Sequence, residues 1–111
     1  MSAMDWQSEI QAELEKAQQA RARGKEGQAR VCARRAAGIA AREYFARRGD
    51  PPRTSSAYDL LRLVADDPAL PAELRESAHH LTLRVDEQFK LPVNVDLLIA
   101  AKDFCKGLLN Q

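Results

Sequence analysis

The sequence predicts an all-α protein, an antiparallel helical bundle of four to five helices forming a single domain over residues 1–111. Three observations predict it. Ala occurs 19 times, and Ala, Leu, Arg, Glu, Gln and Lys, all good helix formers, dominate the long segments. Apolar residues recur at spacings of three and four along several stretches, as a helical stripe requires. Period-2 alternation of the kind a strand needs is sustained nowhere.

The first helix is expected from about Asp5 to Arg23, where Trp6, Ile10, Leu14, Ala17 and Ala20 make one stripe. Asp5, Glu9 and Glu13 lie early in it, where the helix dipole favours anions. Gly24 and Gly27 interrupt the pattern, and a turn at GKEG is the simplest account. The second helix runs from about Gln28 to Arg48. Its apolar and small residues spread around most of its circumference, so it should be contacted on several sides. Ala33, Ala37 and Ala41 offer a close approach to another backbone, within the chain or from a second subunit. Gly49, Asp50, Pro51 and Pro52 stop this helix.

Ser56 and Asp59 have the spacing of a capping box and open a third, short helix with Tyr58, Leu61 and Val64 on its apolar face. Asp67-Pro68 ends it. Pro71 suits the first turn of a fourth helix, whose stripe is Leu74, Ala78, Leu81, Val85 and Phe89, with Pro92 as its stop. Asn94 is the candidate cap of a last helix, with Leu98, Ala101, Cys105 and Leu108 on its buried face.

Composition removes several function classes. Hydrophobic residues make up 45% of the chain and Gly and Pro number 5 each, which argues against disorder. No apolar run approaches the roughly 18–20 residues of a membrane span, so no membrane partner is expected. The start, MSAMDWQSEIQ, lacks the basic and apolar blocks of a signal peptide. Cys32 and Cys105 are too few for a disulfide framework, and a reducing, cytoplasmic location is expected.

The net charge of +1 hides an uneven distribution. Residues 1–20 sum to −3, residues 21–53 to +7 and residues 54–111 to −3. The favoured reading is internal complementarity, with acidic helices packed beside a basic one. The alternative is a basic surface for phosphate or RNA on the second helix, with Arg34, Arg35 and Arg42 as the candidate contacts. Arg35 and Arg42 are seven apart and share a side, whereas Arg34 lies on another.

Arg75, His79 and His80 are the candidate catalytic residues. A His that moves a proton beside an Arg that steadies phosphate charge is enough for a metal-independent ribonuclease. Arg75 and His79 are one turn apart, while Arg75 and His80 diverge by roughly 140° around a helix. The opposing reading is a solvated helix face. Adjacent histidines diverge and make a poor chelate, so neither a metal nor any other cofactor is expected. Both cysteines sit among apolar neighbours and read as small core residues. Trp6, near the start of an amphipathic helix, reads as a core anchor.

The layout resembles the small HEPN domains, compact helical proteins of bacteria and archaea often encoded beside minimal nucleotidyltransferases. The likeness covers nearly the whole chain. It rests on an amphipathic first helix, a Gly-containing turn and the Ala-rich ARVCARRAAGIAAREYFARRG. Ser56-Ala57-Tyr58-Asp59-Leu60-Leu61, LPAELRESAHHLTLRV and a Pro-containing stretch before a last helix follow in order. Three stretches depart from the family pattern. Arg35, Gly38 and Ile39 stand where many members carry a Gln-Ala-x-Glu-Lys type core. Ser56 stands near an expected His, and Phe89-Lys90-Leu91-Pro92 replaces an Arg-Tyr-Pro type sequence.

The resemblance implies a helical interaction module that pairs as a homodimer and engages a nucleotidyltransferase partner or RNA. The family's catalytic pattern places His four to six residues after an Arg. Arg75, Glu76 and His80 meet that spacing, but at the head of the penultimate helix rather than at the family's place. The expected function is therefore a non-catalytic module, with a ribonuclease using Arg75 and His79 or His80 as one alternative and RNA or phosphate binding as the other.

Overall fold

The first helix begins where a side chain can take over an unpaired backbone donor. Asp5 accepts a hydrogen bond from the Ser8 amide at 2.8 Å and caps α1, Trp6–Ala22. The computed structural model describes residues 5–83 and 96–110 of the chain. At the far end of α1, Gly24 adopts a φ of 76°, a left-handed conformation that costs glycine nothing. The Lys25 amide then reaches back to the Ala20 carbonyl at 2.8 Å and Gly24 to Arg21 at 2.9 Å, which closes the helix. Helix α2, Glu26–Arg47, follows at once, and Gly49 closes it with the same pattern of bonds, Asp50 to Phe45 and Gly49 to Ala46.

Helix α3, Ala57–Ala65, starts as the Ser56/Asp59 spacing predicts, with the Ser56 hydroxyl accepting from the Asp59 amide at 3.3 Å. The return half of the box is different. The Ser56 amide donates to the Thr54 hydroxyl, and that hydroxyl donates to the Asp59 carboxylate. Helix α4 spans Ala72–Leu81 and helix α5 Leu97–Leu109. The all-helical expectation holds, since every regular element among the described residues is a helix.

Two boundaries differ from the sequence reading. The apolar stripe predicts a fourth helix through Val85 and Phe89, but α4 ends at Leu81. Arg34 of α2 donates from Nε to the Leu81 carbonyl at 2.6 Å and from Nη2 to the Leu83 carbonyl at 3.2 Å. The Thr82 hydroxyl donates to the His79 carbonyl at 2.7 Å. These donors meet carbonyls near the end of α4, and Arg34 comes from a distant part of the chain. Val85, Phe89, Pro92 and Asn94 lie outside the described residues. The cap of α5 is Asp96, whose carboxylate accepts from the Leu98 and Ile99 amides.

Helices α1 and α2 form an antiparallel hairpin. Helix α5 runs alongside α2 in the same direction. Asp96 at its start meets Arg21 at 3.0 Å, Cys105 lies against the Ala36 carbonyl, and the Leu109 carbonyl near its end accepts from Arg47. Helix α3 also follows α2, from Gly38 beside Ala57 to Arg48 beside Asp67. Helix α4 returns in the opposite sense, with Leu74 against Gly107 and its end under Arg34.

This arrangement surrounds α2. Ala29, Ala33, Ala36, Ala37, Ala40 and Ala41 are fully buried within the single chain, with Cys32, Tyr44 and Phe45 beside them. Apart from the exposed Val31, the all-round apolar character of α2 is therefore satisfied within the chain. Its small residues admit α1, α3 and α5 at close range, closest at Gly38. A Cβ built there would stand 2.7 Å from the Ala57 Cβ and 2.9 Å from the Ala57 Cα. The large side chains of the core come chiefly from the later helices, with Leu61, Val64, Leu81, Leu97, Phe104 and Leu108 the largest that are fully enclosed.

Arg21 ties the hairpin to α5. Its guanidinium binds Glu26 through Nε and Nη2 and Asp96 through Nη1. Those hydrogen bonds hold both carboxyls below their ordinary values and raise the guanidinium's own. All three side chains are more than a third exposed, so solvent screens the network and it contributes at most about 1 kcal/mol. Carboxyls held low in the folded state stabilise it above their unfolded values of about 4. That contribution is lost as pH falls through the lower folded values. Arg21→Gln should therefore lower the melting temperature at pH 7 by a few degrees, and the deficit should be smaller at about pH 3. An equal deficit at both pH values would contradict this account of the network.

Candidate functional site

Four of the ten basic side chains of residues 21–53 are occupied inside the fold. Arg21 binds Glu26 and Asp96, Arg47 binds Glu43 and the Leu109 carbonyl, and Arg48 binds Asp67 at 2.6 Å. Arg47 also lies 4.9 Å from the centre of the half-buried Trp6 ring, and Arg48 lies 5.3 Å from that of Tyr44. Arg34 holds the end of α4, as described above. The internal complementarity read from the charge pattern accounts for the Arg21–Asp96 and Arg48–Asp67 pairs, whereas Arg34 is held by backbone carbonyls and Arg47 by Glu43 of its own helix and by a carbonyl.

Arg35 and Arg42 differ. Both are exposed, on the side of α2 that faces the start of α3. Arg35 has no ion-pair or hydrogen-bond partner among the described residues. Arg42 meets only Glu9 among them, at 3.8 Å. They flank a groove of about 350 Å³ whose floor is Gly38, Ile39, Ala57 and Leu60, with Ser55 at one edge and Glu13 on the α1 wall. The close approach of Gly38 and Ala57 brings the first turn of α3 to this floor, so the positive end of that helix dipole adds to the two guanidiniums.

Glu13 reads from the sequence only as an early acidic residue of the first helix, not as a site candidate. Its side chain is 16% exposed, and its Oε2 lies 3.7 Å from Lys16, an ion pair too long for a hydrogen bond. Its Oε1 is sealed from solvent and has no hydrogen-bond partner. A signal for it exists in the hairpin arithmetic. A turn centred near residue 24 sets position 13 opposite the stretch of α2 around Arg35.

The other candidate residues do not join this groove. Arg75 is half-buried and donates from Nε to the Leu70 carbonyl at 3.2 Å, which braces the chain just before α4. His79 is exposed in the last turn of α4. His80 is half-buried with its Nε2 3.9 Å from Glu76 Oε1. The two imidazole centres are 6.4 Å apart and tilted by 49°. Among the described residues, no three His, Cys, Asp or Glu side chains converge in a way that could hold a metal ion.

A second groove separates α1 from α5, lined by Ile10, Leu14, Lys102, Cys105 and Lys106, with a volume of about 440 Å³. The Cys105 thiol on its wall lies 3.6 Å from the Ala36 carbonyl, and burial pushes it up to about 12. So little thiolate forms near neutral pH that Cys105 is a core residue and not a nucleophile. Cys32 is likewise buried.

Comparison with protein-family models, with curated proteins and with solved structures found no match. No described helix is long and apolar enough to cross a membrane.

Proposed function

We propose that this chain is a HEPN-like helical interaction module that acts by binding, with the Arg35–Arg42 groove as its recognition surface. The observation that carries the reading is the contrast among the arginines of the basic segment. Arg21, Arg34, Arg47 and Arg48 are held by groups of the fold, whereas Arg35 and Arg42 stand exposed along one groove. Two guanidiniums beside a helix N-terminus suit an anionic group on a partner, and phosphate matches them best in charge and in donor geometry.

The HEPN likeness is supported by the order of the elements: a helical hairpin, a short third helix with a capped start, and a final helix laid along α2. Homodimer formation and a nucleotidyltransferase partner enter this proposal from the resemblance alone, because α2 is covered within one chain. A second copy would have Val31, Leu63 and Ile99 to cover, the large apolar side chains most exposed among the described residues.

Catalysis is not part of the proposal. Arg75 is engaged by the Leu70 carbonyl, and His80 lies 3.9 Å from the carboxylate of Glu76. Incubation with structured RNA should leave the RNA intact for both the wild type and a His79→Ala/His80→Ala variant. Cleavage by the wild type that the double substitution abolishes would replace this reading with the ribonuclease one.

A further inference from the structure

The groove that serves as the recognition surface is not a track for a polyanion. Two carboxylates border it, Glu9 beside Arg42 and Glu13 on the opposite wall. A nucleic-acid backbone laid along Arg35 and Arg42 would meet both. Arg34, Arg47 and Arg48, which could otherwise extend such a track along α2, are bound elsewhere in the fold. What remains is a bounded site with positive charge on one wall and a carboxylate on the other.

From this juxtaposition, and resting on the reading of the groove as a recognition surface, we infer that it takes a small phosphate monoester bearing a primary amine on a short arm. Arg35 and Arg42 lie three residues before and four after Gly38, so all three share one helix face. The two Cα atoms are about 10 Å apart along the axis, and guanidiniums on long side chains can converge on one phosphate above Gly38. The phosphate would then lie at the N-terminus of α3, where Ser56 already spends its hydroxyl on the Asp59 amide. The Ser55 hydroxyl stands at the edge of the groove as a further donor.

Glu13 supplies the second half of the recognition. One of its oxygens is buried without a hydrogen bond, and the other has only a distant lysine. An acceptor in that state is under-satisfied, and a turn of the carboxylate toward the groove would let an ammonium brought in with the phosphate satisfy it. The groove's volume of about 350 Å³ falls at the small end of ligand sites, which fits a compact molecule.

The test is calorimetric titration of the full chain with O-phosphoethanolamine and with ethyl phosphate, which lacks the amine. The wild type should prefer the amine-bearing ester about tenfold, the scale of one added charge-assisted hydrogen bond. Glu13→Gln should abolish that preference while retaining affinity for ethyl phosphate. Arg35→Met should weaken both esters. Circular dichroism and melting of each variant would confirm that it is folded, and the wild-type comparison of the two esters needs no variant at all.

Equal affinity of the wild type for the two esters would overturn the inference. So would a preference that survives Glu13→Gln. In either case, loss of binding in Arg35→Met would leave the groove standing as an anion site. No binding of either ester, or none that Arg35→Met reduces, would overturn both the inference and the recognition surface. Phosphatidylethanolamine vesicles provide the remaining arm: binding to them without binding to the soluble ester would overturn the assignment of a free small molecule.

Discussion

Phe104→Ala is expected to destabilise the protein by about 3–5 kcal/mol, the usual cost of deleting a large buried aromatic side chain. Phe104 is 1% exposed and is the largest fully enclosed side chain in the described core. Its helix packs along α2, whose buried residues are mostly alanines too short to fill the space it would leave. The loss has two parts, the transfer of the ring out of water and the residual cavity, and the second depends on how far α4 and α5 relax inward. A domain of this size has only about 5–15 kcal/mol in total, so the variant should melt many degrees lower. Urea denaturation would measure it, and a loss below about 1 kcal/mol would show that Phe104 is not the anchor the packing makes it.

Gly38→Val should cost about 3 kcal/mol or more, in spite of the higher helix propensity of valine. The helix interior normally disfavours glycine, so its presence in α2 needs a reason. The contact with Ala57 supplies one. A Cβ at position 38 would meet not only the Ala57 Cβ at 2.7 Å but also its Cα at 2.9 Å, and backbone does not swing aside as a side chain does. The start of α3 would have to lift away from α2, and the floor of the Arg35–Arg42 groove with it. Gly38→Ala should cost less, and pairing it with Ala57→Gly should recover part of the loss, because one of the two short contacts disappears. A Gly38→Ala variant as stable as the wild type, measured by the same urea titration, would contradict the close approach.

The helical organisation was legible in the sequence because it is written in local terms. The stripe Trp6, Ile10, Leu14, Ala17 and Ala20, the glycine at position 24 and the Ser56/Asp59 spacing are all features of a few adjacent turns. The misread boundaries have non-local causes. The stripe from Leu74 to Leu81 continues on paper through Val85 and Phe89. The end of α4 is instead bonded by Arg34, which lies 47 residues from Leu81. Asp96 carries the cap expected at Asn94, and the side chain that binds Asp96 from outside, Arg21, is 75 residues away.

The same distinction applies to the candidate site. The seven-residue spacing of Arg35 and Arg42 places them on one face, and the sequence displays it openly. That Arg34 would be drawn into the fold while its neighbour stayed out could not be read from charge, because the two residues are chemically identical. Their difference is one step of about 100° around α2, which turns Arg34 toward the end of α4 and Arg35 toward the groove. Glu13 was hidden for the converse reason. It belongs to an ordinary acidic series on α1, and only the packing of the hairpin sets it beside the groove.

The claim on which the functional reading depends is that recognition occurs at the Arg35–Arg42 groove and not on α4. Chemical-shift mapping of amide signals during titration with inorganic phosphate tests it most directly. The account predicts saturable shifts confined to the neighbourhood of Glu13, to Arg35 through Arg42 and to Ser55 through Leu60, all reduced in Arg35→Met. Shifts centred instead on Arg75, His79 and His80, or spread evenly over the surface, would contradict it.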